Sequence, residues 1–153
     1  IRAMPNTSAA VGYSATAACL GRYAGEDQKH WTEKIFHAMG QLVWVEEWQM
    51  DAVTGVAGSG PAYFYAMVES LEKAGMEMGL PSEIARQLSR QTFIGAARML
   101  EESGERPEAL RERVTSPGGT TMAGLARLAE CGFHEALREA VKAAVSRSRE
   151  LGI

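Results

Sequence analysis

Between Ala52 and Val68 the chain carries no charged residue, and its last seven positions, Ala62-Tyr-Phe-Tyr-Ala-Met-Val68, are apolar without interruption. A bilayer span needs about 20 such residues. Here Gly58, Gly60 and Pro61 break the stretch, so it belongs to a folded domain. Pro61 to Gly79 predicts one long helix, with proline in the favoured first turn and glycine at the far end. A helix that is apolar on every side must be buried on every side. The helical chain around it, about a hundred residues, is short of material to do this alone. Two solutions stand. A second copy covers the helix, giving a homodimer with Pro61–Gly79 and Ser82–Glu102 in the interface, or the helix runs wholly inside the domain.

The remaining patterns divide the chain in two. From about residue 49 every pattern is helical: Ser82 to Glu102, with small residues Gly95, Ala96 and Ala97 at its middle; a short helix from Pro107 to Val114; Thr120 to Cys131, stopped by Gly132; and Phe133 to Leu151, with Phe133, Leu137, Val141 and Val145 on one stripe. Residues 1–48 differ. Val11 to Ala17 alternates loosely like a strand, Asp27 to Gly40 reads as a helix with Trp31, Ile35 and Met39 on one face, and Gln41 to Glu46 reads as a second strand. Strand–helix–strand is the logic of an α/β layer. The expected domains are therefore 1–48 and 49–153.

Bulk properties narrow the function. The net charge is −3 and basic residues are interleaved with acids, which excludes a nucleic-acid or anionic-membrane surface. Cys19 and Cys131 are far apart and in no CxxC pattern, as expected for reduced thiols of a cytoplasmic protein. His30, His37 and His134 lack metal-ligand spacing, so no metal site is expected. The chain begins at Ile1 without an initiator methionine, as a processed or truncated product would.

Two small-residue turns precede helical patterns. In Ser116-Pro-Gly-Gly-Thr-Thr121, paired glycines permit positive φ and close approach of a ligand to the main chain. The first amides of the following helix have no intrahelical partner. Together they suit a small anion held by N–H groups instead of Lys or Arg. An ordinary helix start after a tight turn is the equal alternative. For the second turn, Gly58-Ser59-Gly60-Pro61, with Ser59 or Gly60 as N-cap, the ordinary reading is the simpler one. Neither turn carries the P-loop lysine, and no GxGxxG follows a strand.

Four stretches, Arg2-Ala-Met-Pro-Asn-Thr7, Asp51-Ala-Val-Thr-Gly-Val-Ala-Gly-Ser-Gly-Pro-Ala-Tyr63, Met78-Gly-Leu-Pro81 and Val114-Thr-Ser-Pro-Gly-Gly-Thr-Thr-Met-Ala-Gly124, occur in the order found in pyrroline-5-carboxylate reductases. From Ile1 to Leu151 the chain resembles that family, and Ser116–Gly124 is the stretch specific to it. The resemblance implies a mainly α fold: a helical dimerisation domain of the 6-phosphogluconate-dehydrogenase C-terminal type, preceded by a strand–helix–strand remnant of a Rossmann α/β domain. It implies reduction of 1-pyrroline-5-carboxylate to L-proline by NADP(H) or NAD(H), with the cofactor bound mainly by a region this chain lacks, so that this chain alone is inactive. It implies that amides around Ser116, Gly118, Gly119 and Thr120 hold the substrate carboxylate and that Thr121 is the catalytic hydroxyl at the ring nitrogen. Thr54, Gly58 and Ser59 would line the opposite wall from a partner subunit, and Met4, Pro5 and Asn6 would lie beside the nicotinamide. Ala57 stands where many relatives carry a hydroxyl. A dimerisation module without catalysis, and a related imine reductase or hydroxy-acid dehydrogenase, are the competing readings.

Overall fold

The computed structural model describes residues 1–152. They form two compact units: Ile1–Tyr63 together with the chain from Leu137 onward, and Phe64–Ala136.

The first unit holds a three-stranded sheet of order β1-β2-β3, with β1 Arg2–Met4, β2 Ser14–Cys19 and β3 Gly40–Trp44. Strand β1 runs antiparallel to β2 with Ala3 opposite Ala18, and β2 runs parallel to β3 with Thr16 opposite Leu42. Helix α1, Glu26–His37, makes the crossover that a parallel pair requires. Strand β2 is central and almost entirely buried, which suits its small residues. Its Ser14 and Thr16 lie two apart, on one face, and their hydroxyls satisfy each other at 2.9 Å.

The loose alternation of Val11–Ala17 misplaces the strand. Thr7–Val11 is a 3₁₀ turn, because Asn6 caps it through the amide of Ser8 and Gly12 closes it at φ 77°. The apolar face of α1 is not the face it buries. Trp31 and Ile35 are 61% and 57% exposed, whereas Thr32 is buried and Trp44 of β3 donates to Glu33 at 3.0 Å. Hydrophobicity marks one face of α1, and packing on β3 uses another.

Beyond the sheet the backbone becomes helical at α2, Met50–Val53, widens into a π-helical turn at Thr54–Gly58, and continues through Ser59 into α3, Gly60–Glu77. Ser59 has φ −84° and ψ −21°, so there is no tight turn before Pro61 and no separate N-cap there. In the same unit α7, Phe133–Leu151, packs against the π-turn. The Gly55 Cα faces Val141 and Val145; a Cβ there would stand 2.8 Å from Val145 Cγ2 and 3.1 Å from the Val141 carbonyl oxygen. Ser148, buried on the same helix, donates to Asp51 at 2.7 Å.

The second unit is wholly helical: the rest of α3, α4 Ser82–Ser103, α5 Pro107–Arg113, α6 Thr120–Glu130 and the first turn of α7. Gly75 lets α3 approach Ala85 of α4, and the rings of Phe64 and Phe93 meet at 5.6 Å. The all-apolar start of α3 is not covered: Phe64 and Tyr65 are 50% and 63% exposed, and Leu71, Leu88 and Met99 are exposed as well. The described chain therefore does not enclose this helix by itself.

Candidate functional site

Ser116–Gly119 is a turn closed by the Gly119 amide donating to the Ser116 carbonyl at 3.0 Å. Pro117 takes its second position and Gly118 its third, at φ 71°, the arrangement of a type II turn. Helix α6 starts at Thr120 with Gly119 as an extended N-cap and no side-chain cap. Its first carbonyl acceptor is Gly119, taken by Ala123 at 3.2 Å. No main-chain acceptor takes the amides of Gly118, Thr120 or Thr121 among the described residues. An uncapped helix start with vacant donors carries partial positive charge and accepts an anion.

One member of the expected donor set changes role. The Gly119 amide is occupied inside the turn, where it donates to the Ser116 carbonyl. Gly119 also saves space: a Cβ there would press on Ser116 Oγ, the end of a rotatable side chain, and stand 3.1 Å from the Ser116 carbonyl oxygen. Ser116, Thr120 and Thr121 are exposed in the single chain, and the flanking residues Thr115 and Met122 line a cavity of about 530 Å³ with Leu125, Leu128 and Phe133.

Thr54, Gly58 and Ser59 belong to the other unit and come together on the π-turn. The Thr54 hydroxyl donates back to Met50 at 3.0 Å, and the Ser59 amide reaches the Thr54 carbonyl at 2.8 Å, five residues back. Since the helix is continuous here, Gly58–Pro61 is neither the ordinary helix start after a tight turn that the sequence favours nor a second amide cradle. The Thr54 and Ser59 hydroxyls are what this segment can present, with Gly58 between them partly covered by Met4. Single π-turns inside helices are frequent at functional sites.

Met4, Pro5 and Asn6 lie in the same unit as the π-turn. The Met4 side chain packs at Gly58, where an added Cβ would touch Met4 Cε at 3.6 Å. Pro5 is exposed. The carboxamide of Asn6 is committed at both ends: Oδ1 accepts from the Ser8 amide at 3.1 Å and Nδ2 donates to the Ala57 carbonyl at 3.1 Å. Its own amide donates to Ser14 Oγ at 3.2 Å. Local sequence patterns carry no sign of this strut or of the Asp51–Ser148 bond. Asn two residues before Ser8 is a legible N-cap signal, but its bond to Ala57 spans 51 positions.

In the sheet unit Cys19 and Glu47 have shifted titration, and Arg2 joins them in one cluster. Cys19 is buried and donates to Glu47 Oε2 at 2.8 Å, while Arg2 pairs with Glu47 Oε1. Burial, then the bond to Glu47, pushes the Cys19 thiol up. The thiol's bond, then that of Arg2, holds Glu47 below the usual carboxylate range. No three metal-ligating side chains gather among the described residues, and no helix among them is long and apolar enough to cross a membrane.

Comparison with known proteins gives a consistent set of relatives. Residues 47–151 match the family described as pyrroline-5-carboxylate reductase dimerisation. Pyrroline-5-carboxylate reductase 1 of Bacillus subtilis is 50% identical over 151 residues, which are 99% of this chain and 51% of that protein. The Synechocystis pyrroline-5-carboxylate reductase is 50% identical over 152 residues, 99% of this chain and 57% of its own length. Among solved structures, that of a Coxiella burnetii pyrroline-5-carboxylate reductase superposes with a TM-score of 0.93 at 40% identity, over 98% of this chain and 56% of that one. That of Plasmodium falciparum pyrroline carboxylate reductase with NADP bound gives 0.90 at 34% identity, over 99% of this chain and 62% of the other. The chain thus spans about half the length of the relatives it matches in sequence.

Proposed function

The chain belongs to the family of the pyrroline-5-carboxylate reductase dimerisation domain, and on that footing we propose that it is the substrate-binding and dimerising part of an NAD(P)H-dependent reductase that converts 1-pyrroline-5-carboxylate to L-proline, the last step of proline biosynthesis. The supporting observation is the set of vacant amides at the head of α6, flanked by exposed Ser116 and Thr121 hydroxyls. It lies inside the segment that defines the family.

The chemistry asks little of the side chains. A protonated cyclic imine is already electrophilic, so the site needs no strong base. It must fix the carboxylate, orient the ring and offer a hydrogen bond at the nitrogen. The amides of Gly118 and Thr120, with the Ser116 hydroxyl, bind the carboxylate; Gly119 keeps the turn tight enough to aim them. The Thr121 hydroxyl meets the ring nitrogen. These donors are exposed in one chain, so keeping water from competing for them falls to the wall that a second copy contributes. Thr54, Gly58 and Ser59 make the opposite wall, contributed by a second copy.

NAD(P)H, which supplies the hydride when bound, finds only its nicotinamide edge in this chain, at Met4 and Pro5. Asn6 stands beside them, its carboxamide bonded once at each end and keeping a second Nδ2 hydrogen and an Oδ1 lone pair. No GxGxxG loop is present for the phosphates. The Plasmodium relative was solved with NADP bound. A second copy of this chain is the macromolecular partner, covering the exposed faces of α3 and α4. We assign the protein to the cytoplasm, without nucleic-acid or membrane partners, and read residues 1–48 as the Rossmann remnant and 49–153 as the helical domain.

The test completes the chain with the part of the Bacillus subtilis relative that it does not span. NADPH oxidation that depends on pyrroline-5-carboxylate and yields L-proline is expected from the completed protein, with none from the 153-residue chain alone. A completed, folded protein that binds neither the imine nor L-proline would refute the reading.

A further inference from the structure

Pro61 creates a deficit in the helix it occupies. Having no N–H, it leaves the carbonyl four residues back, Ala57 O, without an α-helical donor, and its ring crowds that same carbonyl. The backbone just before Pro61 is widened into the π-turn Thr54–Gly58. The orphaned oxygen still needs a hydrogen bond. It receives one from Asn6 Nδ2, at 3.1 Å, from the far end of the unit's sequence. Three further interactions bear on the same turn: Met4 packs at Gly58, Gly55 lies against Val141 and Val145, and Asp51, one turn before, is held by Ser148.

The orientation of the Asn6 carboxamide is fixed by its partners. An amide hydrogen from Ser8 reaches one end and a carbonyl oxygen accepts from the other, so oxygen and nitrogen cannot be exchanged. The main chain of Asn6 is fixed as well, through Ser14 Oγ, whose own partner is Thr16 in the buried strand β2. Asn6 therefore links the end of β1, the sheet core and the π-turn through three hydrogen bonds.

We propose that Asn6 is a positioning residue: it completes the hydrogen bonding that Pro61 leaves open at Ala57, and so holds the π-turn bearing Thr54, Gly58 and Ser59 in register with the Met4–Pro5 segment. The catalytic consequence rests on the reductase reading, since these two segments are there the substrate wall and the nicotinamide edge. The structural half does not.

The two halves are tested separately. Hydrogen exchange on the 153-residue chain reads the strut directly. Asn6→Asp keeps the acceptor for the Ser8 amide but replaces the donor to Ala57; loss of one hydrogen bond, about 1 kcal/mol, should speed exchange at Val56–Gly60 about fivefold and leave the Ser8–Gly12 amides within about twofold. Asn6→Ala should speed both. Pro61→Ala gives Ala57 an intrahelical donor, so Asn6→Asp in that background should lose most of its effect at Val56–Gly60. Unchanged exchange at Val56–Gly60 in both Asn6 variants, or no relief from Pro61→Ala, overturns the strut. In the completed enzyme, Asn6→Asp should lower kcat with the KM for NADPH within about twofold, since the hydrogen bond it removes goes to Ala57 and not to the cofactor. A KM for NADPH that rises while the π-turn exchanges normally would make Asn6 a cofactor ligand and overturn the proposal. If the unsubstituted completed protein is inactive, the reductase reading fails and the exchange data still judge the strut.

Discussion

Gly55→Ala places two effects of known sign against each other. Helical backbone favours alanine over glycine by about 1 kcal/mol. Against this, the new Cβ would stand 2.8 Å from Val145 Cγ2 and 3.1 Å from the Val141 carbonyl oxygen. Carbon pairs prefer about 3.5–4.0 Å, so the first approach is short by close to an ångström. Val145 is β-branched and on a helix, where its rotamer has little freedom to yield. The Val141 oxygen is backbone and moves only if α7 moves, and α7 is tied by the Ser148–Asp51 bond. Overpacking of this kind costs about 1–3 kcal/mol. The steric effect wins, and Gly55→Ala should lower stability by about 1 kcal/mol, or Tm by about 2–4 °C. Thermal and urea unfolding should be followed at one fixed protein concentration, because self-association shifts apparent stability. Val145→Ala removes the clashing methyl, so the double variant should show a favourable coupling of at least about 0.5 kcal/mol. A Gly55→Ala protein more stable than the parent, or strictly additive effects in the cycle, would show that α7 does not press on the π-turn as described.

Four other outcomes are expected. Thr121→Ala in the completed enzyme should lower kcat about tenfold to a hundredfold, the loss of one hydrogen bond to a charged reacting group, and steady-state kinetics with unchanged kcat would remove Thr121 from the mechanism. Cys131 is exposed and should react with a thiol reagent at once, whereas Cys19, buried and bonded to Glu47, should react only on unfolding; equal rates would contradict the cluster. The same cluster sets a pH dependence. The raised Cys19 thiol stabilises the fold fully below the unfolded thiol's pKa, and that contribution disappears as pH rises through its folded value. The depressed Glu47 contributes above the ordinary carboxylate range, and its share disappears as pH falls through its own folded value. Cys19→Ser should therefore flatten the alkaline limb of a stability–pH curve, and an unaltered limb would contradict this assignment. Light scattering across a dilution series should show a dimer, since Phe64, Tyr65, Leu71, Leu88 and Met99 are exposed in one chain, and a soluble monomer at every concentration would oppose it.

The legibility of the molecule follows the range of the interactions that build it. Helices α3 to α7 are readable within about a turn at each end, because their apolar spacing and their Pro and Gly boundaries are local signals. The turn at Ser116–Gly119 is readable too, since a Pro-Gly-Gly sequence admits few backbone paths. Strand β1 is not: its three residues are too few for periodicity to register. The face of α1 misleads because Trp31 and Ile35 are hydrophobic yet do not meet β3.

By itself, then, the sequence determined the helical domain, its missing cover, the family and the stretch that opens α6, all of which depend on residues within a few positions of one another. Only the tertiary structure decided that Ser148 holds Asp51 and that Asn6 serves Ala57. Those facts turn on which distant group arrives to satisfy a given donor or acceptor. A hydrogen bond between residues 51 positions apart leaves no periodic trace in the chain; it exists only once the sheet and the π-turn have brought both ends together.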